Sequence, residues 1–206
     1  MNFPNKPYES IASFADAYFK QHLKSSKQIS HEKLRLAAEV LMATYESGNV
    51  VYVCGNGGSA AISNHLVCDH LKGIQADTKM KPRVVSLSSN IETITAISND
   101  IDYADIFLFQ LRTLANKEDC LITVSSSGDS ENIVRALKWA SNNGVNTISM
   151  TGFDGGRSGR LADINLHVGG DNYGIVEDLH HSIMHFLAQY LRLAKIDKKI
   201  IGNKVF

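Results

Sequence analysis

Residues 51–73 read "VYVCGNGGSAAISNHLVCDHLKG": four apolar or aromatic residues, then Gly55, Asn56, Gly57, Gly58 and Ser59, then a helical pattern carrying histidines and an aspartate. A strand, a glycine-rich turn and a helix in that order let backbone N–H groups approach an anion at a helix N-terminus. Neither well-known nucleotide loop fits. A P-loop needs a lysine after its last glycine, and the dinucleotide fingerprint needs a third glycine that the residues after Ser59 do not supply. The anion therefore need not be a nucleotide.

The same texture recurs downstream. "VVYVC", "RVVSL", "DCLITVS", "NTISMT" and "DINLHV" are short β-branched runs separated by helical windows, which predicts a parallel sheet of about five strands wrapped by helices. Two amphipathic helical patterns come first. "YESIASFADAYFKQHL" spaces Ile11, Phe14 and Tyr18 by three and four residues, and "SHEKLRLAAEVLMATYESGN" opens on Ser30 as an N-cap and closes near Gly48. The last helical stretch, "IVEDLHHSIMHFLAQYLRLA", is apolar on more than one face, as expected of a helix packed against its own sheet and a second subunit.

Composition bounds the rest. At 206 residues the chain suits one sizeable core. Lysine plus arginine equals aspartate plus glutamate at 21 each, which argues against nucleic acid or an anionic membrane as partner and leaves a small charged substrate open. Cys54, Cys68 and Cys120 lie in apolar surroundings without paired spacing, so free thiols and a reducing compartment are expected. No stretch approaches the roughly 18 apolar residues of a membrane span, and the N-terminus lacks a signal peptide's unbroken apolar region. A soluble, cytoplasmic protein is expected.

A second polar loop follows the third strand in "LITVSSSGDSENIVRALKWA", where Ser125, Ser126, Ser127 and Ser130 surround Gly128 ahead of a helix beginning near Glu131. Hydroxyls and N–H groups there can converge on one phosphate; in isolation the same letters also describe an ordinary serine N-cap and turn. Two such loops at the C-terminal ends of parallel strands favour the ligand, because open α/β sheets bind there.

In "GNGGSAAISNH", "SSSGDSENIVRALKWA" and "ISMTGFDGGRSGRLADI" the chain resembles the sugar isomerase (SIS) domain, and its whole layout is similar to that of the phosphoheptose isomerases. The resemblance implies an α/β, SIS-type three-layer sandwich: a five-stranded parallel sheet flanked by helices, with two leading N-terminal helices. Residues 1–206 then form a single SIS domain, 1–48 being the helical pair and 49–206 the α/β core and C-terminal helix. It also implies a homotetramer with interfacial active sites and conversion of sedoheptulose 7-phosphate to D-glycero-D-manno-heptose 7-phosphate, serving heptose and surface-glycan (lipopolysaccharide or capsule) biosynthesis. Carried over by position, substrate contacts fall on Asn56, Gly57, Gly58 and Ser59, on Asn99 and Asp100 in "AISND", and on Ser125, Ser126, Ser127 and Ser130. Without the family, Asn99 and Asp100 read equally well as a helix-ending turn.

Isomerisation needs a base to move a proton between adjacent carbons and a group to stabilise the enediolate. His65 and Asp69, four residues apart, share a helix face. They stand where the family has a His and a catalytic Glu. Glu177 and His185 stand where it has a Gln and its catalytic His. Eight helical residues turn about 80° beyond two full circles, so both are expected to point into one site, with His181 one turn from each. Together the four form a two-histidine, two-carboxylate set that suits Zn²⁺, one per subunit, which members of the family carry there. Glu177 is in addition a candidate substrate contact. His180 matches a histidine common in the family, while His181 has the better geometry with Glu177, and both remain open.

Three departures stand out. Asp69 is one methylene shorter than Glu, Glu177 adds a charge absent from Gln, and Gly174 replaces an expected Asp. The expected activity is aldose–ketose isomerisation of a phosphosugar, with Asp69 and His185 exchanging protons and His65 and Glu177 as metal ligands or orienters. Alternatives are a non-catalytic phosphosugar sensor or replication-initiation regulator on the same fold, and an isomerase of hexose or pentose phosphates. Cys68 is expected to face the core.

Overall fold

The structure, a computed structural model, describes residues 3–206. Its centre is one parallel sheet of β1 (Val50–Gly55), β2 (Arg83–Ser86), β3 (Cys120–Ser125), β4 (Asn146–Thr151) and β5 (Ile164–His167), in the order β2-β1-β3-β4-β5. The five β-branched runs are these strands. Around them lie α1 (Ile11–Ser26), α2 (His31–Glu46), α3 (Gly58–Cys68), α4 (Ile91–Asp100), α5 (Ile106–Leu114), α6 (Glu131–Asn142), α7 (Gly156–Leu161) and α8 (Tyr173–Lys195).

Alternation along the strands feeds two cores. Val51 and Val53 of β1 join Ile122 and Val124 of β3 against Leu41 of α2, Ile62 and Leu66 of α3, and Leu179 and Ile183 of α8. Val50, Tyr52 and Cys54 point the other way, with Leu121, onto Phe107 and Leu111 of α5 and Ile133 and Leu137 of α6. Both faces of the sheet are thus covered, as a parallel sheet requires. The result is three layers, with α1 and α2 leading.

Local signals place the helix ends. Ser30 caps α2 by accepting the Lys33 N–H, and Ser10 and Ser13 form a capping box on α1. α3 does not stop at Cys68 but continues as a π-helical turn over Asp69–Ile74. That wider turn brings His70 inside, where it is fully buried and its Nδ1 lies 2.5 Å from the Tyr45 hydroxyl. Cys68 faces outward, contrary to expectation, because the inward side of this helix is taken by Leu66 and His70. Cys54 and Cys120 are buried, and all three thiols are free. No helix among the described residues is long and apolar enough to cross a membrane.

Candidate active site

The site lies at the C-terminal edge of the sheet and runs along the groove between α3 and α8. Its first wall is the glycine loop after β1. Gly57 starts α3 with no side-chain cap, so the first N–H groups of that helix face outward. Ser88 pins the loop from below: its Oγ accepts the Gly55 N–H at 3.1 Å and donates to the Gly55 carbonyl at 2.8 Å. Ser59 is buried against Gly55. Asn56 is held sideways by a reciprocal amide pair with Asn132 of α6, 2.9 Å in each direction, and accepts from the Tyr103 hydroxyl at 3.1 Å.

That amide pair ties the first loop to the second. Neighbouring strands β1 and β3 bring the serine loop alongside, and α6 also begins without a side-chain cap. Ser125 Oγ accepts the Gly128 N–H and Ser127 Oγ accepts the Asp129 N–H. Ser126 Oγ is buried without a hydrogen-bond partner among the described residues, and Ser130 makes no capping bond. The Ser130 hydroxyl and an uncapped helix start are therefore uncommitted here, which fits an anion. Gly128 is at φ +65°, and the Gly155 carbonyl of the "GFDGG" turn occupies the place a Cβ would take, so no side chain fits there. Arg157 braces the loop from outside through Asp129 at 2.5 Å and Glu131 at 2.8 Å.

The chemical centre lies farther along the groove. His185 Nδ1–H donates to Asp69 Oδ2 at 2.6 Å, and His65 Nε2 lies 3.5 Å from Asp69 Oδ1. Because a carboxylate only accepts, this bond sets the His185 tautomer and leaves its other ring nitrogen with a lone pair. The shortened carboxylate still reaches both histidines. One donor atom from each of His65, Asp69 and His185 lies within 4.8 Å of the others, so this trio can hold a metal ion. Two imidazoles and one carboxylate suit Zn²⁺.

Glu177 lies outside this trio. A Cβ built on Gly58 would fall 2.7 Å from Glu177 Oε2, which places that carboxylate over the start of α3. The expectation that Glu177 and His185 share a site considered only their angle about the helix axis; eight residues also rise about 12 Å along it. His181 occupies the intervening turn. Its ring centroid lies 5.8 Å from that of His65 and 6.2 Å from that of His185. Burial, and then the neighbouring His65 and His185, push its pKa below the ordinary histidine value.

His180 points the opposite way. It is fully buried and both ring nitrogens lack a hydrogen-bond partner among the described residues. Burial pushes its pKa down to about 4, opposed by the nearby Thr151 backbone, which does not reach hydrogen-bond geometry. Asn99 and Asp100 are exposed at the end of α4, where the Asn99 amide donates to the Asp100 carboxylate at 2.8 Å. Within one chain they are not bonded to either loop. Sequence reasoning missed Asn132, Tyr103 and Ser88, since each acts by holding a loop residue distant in the chain and none belongs to a local motif. A cavity of about 640 Å³ adjoins Asp69 and His185, with Lys72, Arg192 and Phe206 among its walls.

The two loops and the groove define a class, and residues 16–152 match the SIS domain. The phosphoheptose isomerase of Clostridium acetobutylicum is 32% identical over 200 residues, 95% of this chain and 99% of that protein. That of Helicobacter pylori strain P12 is 35% identical over 168 residues, 82% of this chain and 87% of that one. The solved structure of a phosphoheptose isomerase from Francisella tularensis matches with a TM-score of 0.83 at 28% identity, covering 89% of this chain and 99% of that chain. The chain belongs to the phosphoheptose isomerase family of SIS-domain proteins and is an isomerase.

Proposed function

We propose that the protein interconverts sedoheptulose 7-phosphate and D-glycero-D-manno-heptose 7-phosphate, in the cytoplasm, for heptose and surface-glycan biosynthesis. The observation that carries this is the Asp69–His185 hydrogen bond of 2.6 Å, lying one groove away from the uncommitted donors of the serine loop. The loop hydroxyls of Ser127 and Ser130, with the N–H groups of α6, hold the phosphate, while Asn56 and the glycine loop order the sugar chain. The carbons that exchange a proton then lie at the far end, beside Asp69 and His185. His185, its tautomer set by Asp69, takes the proton from one carbon through its free nitrogen and returns it to the next. Asp69 and His185 together relay the hydroxyl proton that must move the opposite way. Alternatively the trio of His65, Asp69 and His185 would hold Zn²⁺, which would polarise the substrate carbonyl and hydroxyl, the free nitrogen of His185 then serving as a ligand in place of its role as base.

Exposed apolar side chains support a homotetramer: Ile11, Phe19 and Leu23 on α1, and Phe186, Tyr190 and Leu193 on α8. A neighbouring subunit is the natural source for contacts from Asn99 and Asp100, which stand apart from their own groove. A purely binding role is disfavoured by the intact acid–base pair. The assay follows aldose phosphate formation from sedoheptulose 7-phosphate, with and without added zinc. Wild type is expected to turn over, and Asp69→Asn and His185→Ala to lose at least about 100-fold in kcat. Wild type without activity under any metal, or variants as active as wild type, would refute the assignment.

A further inference from the structure

Position 174 interrupts the groove face of α8. Successive helical residues turn by about 100°, so 174, 178, 181 and 185 fall within about 60° of one another on one side. On that side the rings of His185 and His181 meet His65 across the groove, with centroids 4.9 and 5.8 Å from it. Asp178 lies a turn before them, and at Gly174 the stripe ends without a side chain.

The first helix, α1, fills that place. A Cβ built on Gly174 would fall 3.1 Å from the Tyr18 hydroxyl oxygen. The same hydroxyl donates to Asp178 Oδ2 at 2.5 Å. The ring is wedged among Phe3, Phe14 and Phe19, at centroid separations of 6.0, 6.4 and 6.0 Å. Phe3 is tied in turn to the start of α8, its carbonyl accepting the Asn172 amide at 3.0 Å. Tyr18 is thus fixed at both ring and oxygen, so a ligand would have little side-chain freedom to freeze.

Burial first, and then the bond to Asp178, hold the Tyr18 pKa above the ordinary tyrosine value, so the phenol stays neutral. Donation to a carboxylate uses its one proton and leaves the oxygen able to accept. The Glu177 carboxylate, which overhangs Gly58 at the start of α3, is close enough to act on the same phenol. This end of α8 also adjoins the serine loop, since a Cβ on Gly152 would meet both Val176 at 2.5 Å and the Ser126 carbonyl at 3.1 Å. Tyr18 therefore stands where the glycine loop and the serine loop approach one another, eleven residues of α8 away from His185.

We propose that Tyr18 is a sugar-binding residue of this isomerase. Its phenolic oxygen takes the place of a side chain at 174, is held by Asp178 and accepts a hydrogen bond from a hydroxyl on the phosphate-bearing half of the substrate. The assignment deepens the proposed function and rests on it for the identity of the sugar.

Tyr18→Phe keeps the ring and its aromatic neighbours and removes only the oxygen. Calorimetric titration of the full-length protein with sedoheptulose 7-phosphate and, separately, with inorganic phosphate reads the contact directly. The variant is expected to bind the sugar phosphate about five- to tenfold more weakly and inorganic phosphate within about twofold of wild type, KM rising in step while kcat holds. Gly174→Ala presses a methyl group against the phenol, so it should raise KM several-fold in wild type and add nothing in the Tyr18→Phe background. Unchanged sugar-phosphate affinity in Tyr18→Phe, an equal loss for inorganic phosphate, or additive effects of the two substitutions would each overturn the assignment, the second outcome marking Tyr18 as a brace between helices. A wild type that binds no sedoheptulose 7-phosphate would overturn it as well. A wild type that binds that sugar phosphate through Tyr18 without isomerising it would refute the isomerase reading and leave the contact standing.

Discussion

Two fully buried histidines make the fold sensitive to acid in a defined window. Burial pushes the pKa of His70 and of His180 down to about 4 from the ordinary histidine value of 6.5. Above pH 6.5 the ring is neutral in both folded and unfolded chains, and its full contribution is present. As pH falls from 6.5 to 4 the unfolded chain takes up a proton that the folded chain refuses, and stability is lost; below about 4 both states are protonated and the loss stops. At 1.36 kcal/mol per pKa unit each ring costs about 3 kcal/mol across the window. Each also adds up to about 1.4 kcal/mol per pH unit to the slope near pH 5. His180→Leu removes one ring whose nitrogens have no hydrogen bond to lose, so it should be neutral or stabilising at pH 7.5. Urea denaturation of wild type and variant from pH 4 to 7.5 measures the difference. The stability gap is expected to widen in favour of the variant by about 3 kcal/mol between pH 6.5 and 4. Parallel curves, or a folded-state imidazole titrating near its ordinary value, would show that His180 is not shielded as the structure has it.

Three further outcomes concern the loops. Ser130→Ala should cost less than about 0.5 kcal/mol, because Ser130 makes no capping bond, where a working cap contributes 0.5–2 kcal/mol; affinity for inorganic phosphate should nonetheless fall about tenfold, as seen by calorimetry. Gly128→Ala forces an L-residue into φ +65° against the Gly155 carbonyl, so a loss of at least about 1–3 kcal/mol in denaturation, with phosphate affinity lost as well, is expected. Asn132→Ala breaks the reciprocal amide pair and leaves Asn56 with the Tyr103 hydroxyl; KM for the phosphosugar should rise several-fold while the Asp69–His185 pair, and hence the pH profile of kcat, stays unchanged.

What the sequence reveals and what it hides follow from how far each interaction reaches along the chain. The strands, the Ser30 cap and the start of α6 at Glu131 depend on neighbours within a few residues, and all are found where the pattern places them. His65 and Asp69 belong to the same category, being one helical turn apart. The Asp69–His185 bond spans 116 residues, and only resemblance to a family pointed to it. The misplaced Cys68 has a local cause: within α3 the inward face is set by Ile62 and Leu66, and Cys68, two residues after Leu66, lies about 200° around the helix from it, on the outer side. Glu177 is the more instructive case. A helical wheel reports angle and discards rise, so residues eight apart can share a face with about 12 Å of rise between them, and no atom of Glu177 joins the donor cluster of His65, Asp69 and His185. On the proposed function, the extra charge at 177 acts where the groove meets the sugar, and the shortened carboxylate at 69 acts beside the reacting carbons. The two substitutions should separate in kinetics: restoring Gln at 177 should act on KM, and restoring Glu at 69 on kcat.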